Sequence, residues 1–259
     1  DHPYMQTKHE SEKIVREHTT MPWRVYRPGV VLGDSKTGEI DKIDGPYYFF
    51  KLIQKMRSML PPWMPGIGIE GGRMNMVPVD FVVDATDHIA HATDKSHNKK
   101  AFHLTDPAPL RIGDSLNIFA RAAHAPQMAL RINAALFGFI PQSVIKGVSA
   151  LPPVRRIKHA VMKDLGIPDD TLSFINYPVR FDCRETLKAL DGTKIAVPEL
   201  DTYVYKLWDY WERNLDPDLF IDRTLKGQIT GKVILITGGT SGIGQATALK
   251  LAAAGTAKA

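Results

Sequence analysis

Residues 232–244 read KVILITGGTSGIG, a short apolar run that leads directly into a glycine-rich turn. Four of the five residues 232–236 are apolar and favour β structure, which is typical of a buried strand in a parallel sheet. Residues 245–254 follow at once, are rich in Ala and Leu, and predict a helix. A strand, a tight turn and a helix in this order predict an α/β fold with a parallel sheet.

The glycine-rich turn has the composition of a phosphate-binding site. Its glycines have the spacing G-x-x-x-G-x-G, and glycine lets the backbone turn tightly and approach a ligand closely. The start of the next helix supplies free N–H groups and a dipole that favours a pyrophosphate. An ordinary glycine-rich turn between a strand and a helix is the alternative. The candidate cofactor-binding residues of this turn are Gly238, Thr240, Ser241, Gly242, Ile243 and Gly244.

A second candidate site lies near the start of the chain, where Tyr4 and Lys8 stand four residues apart on a predicted helix. Side chains at this spacing share one helix face. A phenol has an ordinary pKa of about 10, and a nearby ammonium group lowers the pKa of a phenol by favouring its charged form. The pair can therefore pass a proton to or from a substrate oxygen. By itself, the same pattern also occurs in helices that carry no chemistry.

Helix and strand patterns alternate along the rest of the chain. Residues 4–19 predict a helix with Ile14 and Val15 facing the core. Residues 23–27 predict a short strand that stops at Pro28-Gly29. The later predictions are a polar loop over 33–46, helices over 47–60, 80–93, most of 110–164 and 199–213, an extended stretch over 74–79 and a strand over 101–105.

A linker-like segment separates two units. Residues 218–230 are rich in polar residues and turn formers, and we predict unit boundaries of 1–217 and 231–259 on either side of them. The chain begins without Met and ends just after the opening of a helix. We therefore expect it to be the middle part of a longer protein, with an incomplete sheet in both units.

Residues 231–255 closely resemble the opening of the short-chain dehydrogenase/reductase family. Residues 237–244 are similar to the cofactor fingerprint of that family. The resemblance implies a Rossmann-like fold and a nicotinamide cofactor, NAD or NADP. Ser241 is not basic and gives no positive sign of NADP, so only the family resemblance slightly favours NADP.

Residues 4–217 resemble the C-terminal part of extended members of the same family, most closely the thioester reductases and fatty-acyl reductases. The resemblance implies that Tyr4 is the proton donor and that Lys8 binds the cofactor ribose and tunes Tyr4. It also implies that Pro28, Gly29 and Val31 border the nicotinamide. The stretches that carry it, besides Tyr4 and Lys8, are YRPGVVLGDSKTG at 26–38, MVPVDFVVD at 76–84 and the segment 207–217.

Each unit lacks part of the family pattern. The first has no glycine fingerprint before Tyr4, and the second has no Tyr-x-x-x-Lys after its fingerprint. We interpret the chain as part of a two-unit reductase whose outer parts are missing, rather than as one permuted domain. We expect the chain alone to be inactive and to bind no dinucleotide tightly, which calorimetric titration with NADPH and NADH tests.

The predicted function is that of an NAD(P)-dependent oxidoreductase that exchanges hydride with a carbonyl group. The resemblance implies an acyl thioester, a fatty aldehyde or a related lipid carbonyl as substrate. A largely helical region within 110–164 is predicted to cover that substrate. The alternatives are an epimerase, a dehydratase or a hydroxysteroid dehydrogenase on the same fold, and a dinucleotide sensor without activity.

The composition excludes several classes of protein. The chain has 259 residues, of which 44% are hydrophobic and 24% charged, so a disordered or fibrous chain is excluded. The single cysteine, Cys183, excludes an internal disulfide and favours a reducing, cytoplasmic location. No window of the sequence suits a membrane span, although peripheral contact around 128–151 stays open.

The remaining motifs carry no predicted chemistry. His88 and His91 are predicted to lie on an exposed helix face, and we predict no metal site. The net charge of +5 suits an anionic ligand without establishing one, and we predict no nucleic-acid partner. Residues 66–71 match G-x-G-x-x-G, but no predicted strand precedes them and no predicted helix follows, so we predict a loop there. The pattern gives no oligomeric state.

Overall fold

The structure, a computed structural model, describes residues 3–18, 20–70, 72–133 and 180–256. The chain divides into two compact units, unit 1 over Asp1–Leu215 and unit 2 over Asp216–Ala259. Much of the predicted substrate cover falls within 134–179 and therefore lies outside the described residues.

Unit 1 contains helices and parallel strands, which confirms the predicted fold class. Its described strands pair in parallel as β1 with β5, β2 with β4 and β3 with β6. Parallel strands need crossover connections, and α3 connects β4 to β5. The strands are β1 (Arg24–Pro28), β2 (Val30–Leu32), β3 (Gly66–Glu70), β4 (Met76–Pro78), β5 (Lys100–Leu104) and β6 (Met128–Asn133). The helices are α1 (Pro3–His18), α2 (Tyr48–Met59), α3 (Val79–His91), α4 (Ile112–Ala122), α5 (Arg184–Ala189) and α6 (Leu200–Asn214).

Gly29 is the point at which the chain changes its strand partner. The segment before it pairs with β5, and the segment after it pairs with β4. The Gly29 N–H donates to the Leu104 carbonyl at 3.1 Å. The next N–H along the chain, that of Val30, donates to the Asn75 carbonyl at 2.8 Å. In α/β sheets, ligands bind outside the carboxyl ends of the parallel strands. Both β1 and β5 end beside Gly29, so a site is expected there.

A helical core holds α2, α4 and α6 together. Phe50 on α2 is fully buried at its centre. Its ring centroid lies 5.0 Å from that of Trp208, 5.2 Å from that of Phe119 and 5.6 Å from that of Trp211. Aromatic rings bury large apolar areas and gain further stability from edge and offset contacts. This cluster therefore fixes how the three helices pack.

A second apolar core lies between α3 and the strands β4 and β5. Val77 on β4, Phe102 on β5 and Ile89 on α3 are each fully buried. Ala189 and Leu190, at the end of α5, close the cluster. The two cores hold the strand ends around Gly29 between them.

Unit 2 contains two described helices, α7 (Leu225–Ile229) and α8 (Gly242–Leu251). Turns of 3-10 helix over Pro217–Phe220 and of π-helix over Ala252–Thr256 stand at either end. The predicted strand over 232–236 is wrong, because this segment pairs with no strand among the described residues. Val233 is fully exposed and Leu235 is 91% exposed. An apolar β-favouring run becomes a strand only where a neighbouring backbone supplies hydrogen bonds.

Two predictions for unit 1 fail because strand pairing joins distant parts of the chain. The segment over 66–71 was predicted to be a loop, but Gly66–Glu70 form β3 and pair with β6. The partner β6 occupies Met128–Asn133, where the helical pattern was predicted to continue. Neither segment contains a local signal for the other, so the pairing is visible only in three dimensions.

The predicted face of one helix also differs from that observed. Ile14 and Val15 on α1 are 58% and 42% exposed, so the prediction that they face the core is wrong for the described chain. Ile118 and Phe119 on α4 are buried in the helical core. This part of 110–164 therefore packs within the fold, and the prediction that the region covers the substrate stays a prediction.

Candidate active site

A cleft of about 1360 Å³ opens beside the switch point at Gly29. Its lining includes Pro28 at the end of β1, Gly29 directly after that strand, and Val31 on β2. Tyr4, from the first turn of α1, lines it as well. The cleft therefore brings the predicted proton donor together with the residues predicted to border the nicotinamide.

Tyr4 and Lys8 lie side by side on α1. The Lys8 Nζ atom is 5.6 Å from the centroid of the Tyr4 ring, a favourable separation for a cation and an aromatic ring. Tyr4 is 58% exposed, so its side chain is accessible to a ligand in the cleft. Among the described residues, the lining of the cleft includes Tyr4 but not Lys8.

Asn75 fixes the backbone next to Gly29. Its side-chain amide donates to the Asp106 carbonyl at 2.8 Å, and its side-chain oxygen accepts from the Asp106 N–H at 2.8 Å. A Cβ atom on Gly29 would lie 2.7 Å from the carbonyl oxygen of Asn75 and 2.9 Å from its side-chain oxygen. Only glycine fits there without displacing this pair. Asn75 could not be predicted from the sequence, because no local pattern indicates its contact with Asp106.

Tyr47 is a second tyrosine in the wall of the cleft, but it is not a candidate proton donor. It is almost fully buried, and its hydroxyl oxygen accepts a hydrogen bond from the Gly33 N–H at 2.7 Å. Burial raises the pKa of Tyr47, because it disfavours the charged phenolate. Tyr47 therefore supports the loop after β2. Tyr4 is an exposed phenol at the cleft, and a third tyrosine, the half-buried Tyr48, also lines it.

The loop that follows β2 forms a polar rim on the cleft. Lys42 and Asp44 both line the cleft and form an ion pair of 3.2 Å. The hydrogen bond to Asp44 raises the pKa of Lys42, and Tyr4 is among the nearby groups that act in the same direction. Lys42 is thus a second cation near Tyr4, which the sequence analysis missed because the loop lies far from Tyr4 in the chain.

Hydrogen bonds to two helices hold this loop in place. Asp80, in the first turn of α3, accepts from the Ser35 N–H at 3.0 Å and from the Ser35 hydroxyl at 2.7 Å. Lys206 on α6 donates to the carbonyls of Ser35 and Lys36 at 3.2 Å and 3.0 Å. Within the loop, Asp34 accepts from the N–H of Thr37, and this bond lowers the pKa of Asp34.

The predicted phosphate-binding turn lies in unit 2 and has the local geometry of a tight glycine turn. Gly238 and Gly242 adopt positive φ values of +68° and +62°, which glycine reaches without steric cost. A Cβ atom on Gly244 would collide with the carbonyl of Gly238. Ser241, in extended backbone, precedes α8, and Ile243 lies in the first turn of that helix with 88% exposure. Thr240 belongs to the turn itself.

The described residues contain no group of three or more His, Cys, Asp and Glu side chains placed to hold a metal ion. Across the same residues, no helix combines the length and the apolar character that crossing a bilayer requires.

Comparison with known sequences identifies a related family for the N-terminal part of the chain. Residues 1–86 match the NAD-binding family described as "Male sterility protein". Glycine betaine reductase ATRR of Emericella nidulans is 25% identical over 267 aligned residues, which cover 97% of this chain and 19% of that protein. Non-canonical nonribosomal peptide synthetase hkm10 of Aspergillus hancockii is 33% identical over 109 residues, which cover 41% of this chain and 10% of that protein. The chain thus spans about a fifth or less of the length of these relatives.

Among solved structures, the terminal R domain from the myxalamid PKS-NRPS biosynthetic pathway has a similar fold. The two structures superpose with a TM-score of 0.55 at 22% sequence identity. The match covers 81% of this chain and 50% of that domain. This likeness supports the Rossmann-like α/β fold of unit 1.

Proposed function

We propose that unit 1 is a thioester-reductase-like unit of the short-chain dehydrogenase/reductase type, and that it binds a nicotinamide cofactor and reduces a carbonyl group with Tyr4 as proton donor. One observation carries the proposal. Tyr4 borders the same cleft as Pro28, Gly29 and Val31, and the Lys8 ammonium lies 5.6 Å from the centroid of its ring.

The residues of the cleft fit the nicotinamide end of the cofactor. The absence of a side chain at Gly29 lets Asn75 pack against the strand end that borders the cleft, while Pro28 and Val31 supply apolar contacts for a flat ring. Lys8 is the residue proposed to hold the ribose. The bound cofactor supplies the hydride, and the protein supplies orientation and electrostatic stabilisation.

The proton transfer follows from the position of Tyr4. Hydride addition to a carbonyl carbon places negative charge on the carbonyl oxygen, which needs a proton or a positive partner. The Tyr4 hydroxyl donates that proton, and the Lys8 ammonium stabilises the phenolate that results. Lys42, which forms an ion pair with Asp44, also lines the cleft and adds a second cation near Tyr4.

The proposed substrate is an acyl thioester, a fatty aldehyde or a related carbonyl compound, with NADP slightly favoured as cofactor. Most side chains of the wall are apolar, which suits an aliphatic substrate. One relative is a reductase by name, and another is a nonribosomal peptide synthetase, so a substrate activated as a thioester agrees with both. The apolar residues that line the cleft include Leu32, Ile40, Phe49, Met74 and Val79.

Replacement of Tyr4 by Phe in the full-length protein tests the proposal. Turnover of an acyl thioester or aldehyde with NADPH should fall about 100-fold to 10,000-fold, because the proton donor is lost. The affinity for NADPH should stay nearly unchanged, because the aromatic ring remains.

Tyr205→Phe is the matched control. Tyr205 is 55% exposed and has the Lys206 ammonium 5.8 Å from its ring centroid, but it is on α6 and is not part of the cleft lining. The Tyr205→Phe variant should retain full turnover. Near-native turnover of Tyr4→Phe would refute the role of Tyr4.

Product analysis in the same assay separates the alternative functions. Formation of an aldehyde or alcohol with matching oxidation of NADPH supports a reductase. An isomerised or dehydrated product without net oxidation of NADPH would indicate an epimerase or a dehydratase instead. Binding of NADPH without any turnover would indicate a sensor.

A further inference from the structure

We propose that the ion pair between Glu12 and Arg27 is a positioning device that sets the place of Tyr4 relative to the strand switch at Gly29. The inference rests on the proposed function of Tyr4. It adds two residues that lie outside the cleft and act through α1 and β1.

The first observation is that α1 buries almost none of its side chains. From residue 3 to residue 17, every α1 residue in the described chain is exposed except Glu12. The apolar Ile14 and Val15 are among the exposed residues. Within the described chain, the place of this helix is therefore set by polar contacts, and the least exposed of them belongs to Glu12.

The second observation is the geometry of the contact between α1 and β1. Arg27 Nε donates to Glu12 Oε2 at 3.0 Å, and Arg27 Nη2 donates to Glu12 Oε1 at 2.6 Å. Such two-point pairing between guanidinium and carboxylate fixes both distance and orientation. Only 19% of the Glu12 side chain is exposed, and the Arg27 hydrogen bond lowers the pKa of Glu12. Arg16 adds a hydrogen bond of 2.7 Å to Glu12 and stacks on Trp23.

The third observation is where Arg27 lies. It is the residue immediately before Pro28-Gly29, so any shift of its backbone moves the border of the cleft. The Arg27 guanidinium also lies 3.2 Å from His103 Nε2, on the neighbouring strand β5. His103 Nδ1 is in turn 2.9 Å from the Asp182 carbonyl, next to Phe181, which lines the cleft.

The two contacts of His103 determine which nitrogen of its neutral ring carries the proton. A backbone carbonyl can only accept, so His103 Nδ1 donates to Asp182. Nε2 of the neutral ring then accepts from Arg27. Arg27 thus joins α1, which carries Tyr4, to the segment at 181–182 on another wall of the cleft.

The distance between Glu12 and Tyr4 along α1 explains why this ion pair would affect the rate of the reaction. Tyr4 and Glu12 are eight residues apart, about 12 Å along a helix at about 1.5 Å per residue. A tilt of roughly 5° about Glu12 would therefore move Tyr4 by about 1 Å, and displacements of about 1 Å cost reactions up to about 100-fold in rate. A change in the Glu12–Arg27 pair, the least exposed contact of α1, would therefore be transmitted along the helix to Tyr4.

The test compares Glu12→Gln, Arg27→Gln and the double variant with Glu10→Gln in the full-length protein. Glu10 is an exposed glutamate on the same helix, so this control makes the same chemical change away from the contact. Each single variant should lower kcat about 10-fold to 100-fold with less than about a threefold change in KM for NADPH. The double variant should be no slower than the slower single variant, because the two residues act as one unit.

Hydrogen–deuterium exchange supplies a readout that does not depend on activity. The amides of α1 should exchange faster in Glu12→Gln and Arg27→Gln than in Glu10→Gln. Arg27→Lys keeps the charge but loses the two-point geometry, so its kcat should recover only in part. Turnover of Glu12→Gln within twofold of that of Glu10→Gln would overturn the proposal, and so would unchanged exchange of α1.

Failure of the proposed function would look different. Tyr4→Phe would then retain turnover, while Glu12→Gln would still loosen α1. That result would remove the chemical role of Tyr4 and would support the ion pair as the contact that holds the helix.

Discussion

In unit 1 the candidate residues lie in a built cleft, whereas in unit 2 the predicted cofactor residues form a turn whose flanking segment lies open to solvent. Gly29 in unit 1 has the polar atoms of Asn75 within 3 Å of the position of an added Cβ. Gly238, Gly239 and Gly242 in unit 2 have nothing within 4 Å of that position. A glycine turn can thus adopt its local conformation without the walls that a site requires.

The difference has a physical cause in the range of the interactions. A positive φ angle at glycine and the start of a helix depend on a few neighbouring residues. A parallel strand depends on a partner separated from it by a whole crossover connection. Unit 1 supplies such partners within the described residues, and its strand ends therefore form a defined cleft.

The largest expected effect is a difference in the free energy of unfolding between a core substitution in unit 1 and an apolar substitution in unit 2. Phe50→Ala removes the central ring of the helical core in unit 1 and should lower the free energy of unfolding by about 3–5 kcal/mol. Leu235→Ala in unit 2 removes a side chain that is 91% exposed and should change it by less than about 0.5 kcal/mol.

Urea denaturation of both variants measures these effects, followed by far-UV circular dichroism for the helices of both units and by tryptophan fluorescence for unit 1. Trp208 and Trp211 lie against Phe50, so their emission follows the core of unit 1. If Leu235→Ala lowered the free energy of unfolding as much as Phe50→Ala does, residues 232–236 would be buried in solution. The contrast between the two units would then disappear.

A smaller effect distinguishes the glycines of the two units. Gly29→Ala brings a methyl group against Asn75 and should cost about 1–3 kcal/mol of stability. It should also lower turnover, because the border of the cleft shifts. Gly239→Ala meets open space and should cause no loss of stability.

Thermal unfolding of the two alanine variants, together with their kcat values, tests this contrast. Equal stability and equal turnover for Gly29→Ala and Gly239→Ala would mean that the close approach at Asn75 does not constrain the cleft.

The smallest expected effect concerns pH and the docking of α1 in unit 1. Arg27 lowers the pKa of Glu12 below its ordinary value of 4.5, so the folded state favours the charged carboxylate. This stabilisation is present above the ordinary pKa and is lost as the pH falls through the lowered value. Because both partners are partly exposed, the loss should stay below about 1 kcal/mol.

Measurement of the unfolding free energy between about pH 6 and pH 3, in the native protein and in Glu12→Gln, isolates this contribution. The native protein should lose more stability on acidification than the variant does. In unit 2, Asp222 also has a lowered pKa, through hydrogen bonds from Thr224, but it is exposed and makes a local contact only. Parallel acid curves for the native protein and Glu12→Gln would contradict the assigned role of the pair in stability.

Much of unit 1 could be predicted from local patterns. The structure confirms three elements that depend on residues close together in the chain. They are the helix that carries Tyr4 and Lys8, the strand that stops at Pro28, and helix α6. The pairing of β3 with β6 could not be predicted because its two strands are far apart in sequence, although residues 128–133 do alternate between larger apolar side chains and small or polar ones.

The sequence by itself determined the class of the fold and the residue types of the two candidate sites, because hydrophobic period, glycine spacing and the Tyr-x-x-x-Lys pattern are local properties. Only the tertiary structure decided which residues meet. It placed Tyr4 at the cleft beside Gly29, joined Glu12 to Arg27, and left residues 232–236 without a described partner strand. Contacts between distant segments depend on how whole elements pack, and no short stretch of the chain encodes them.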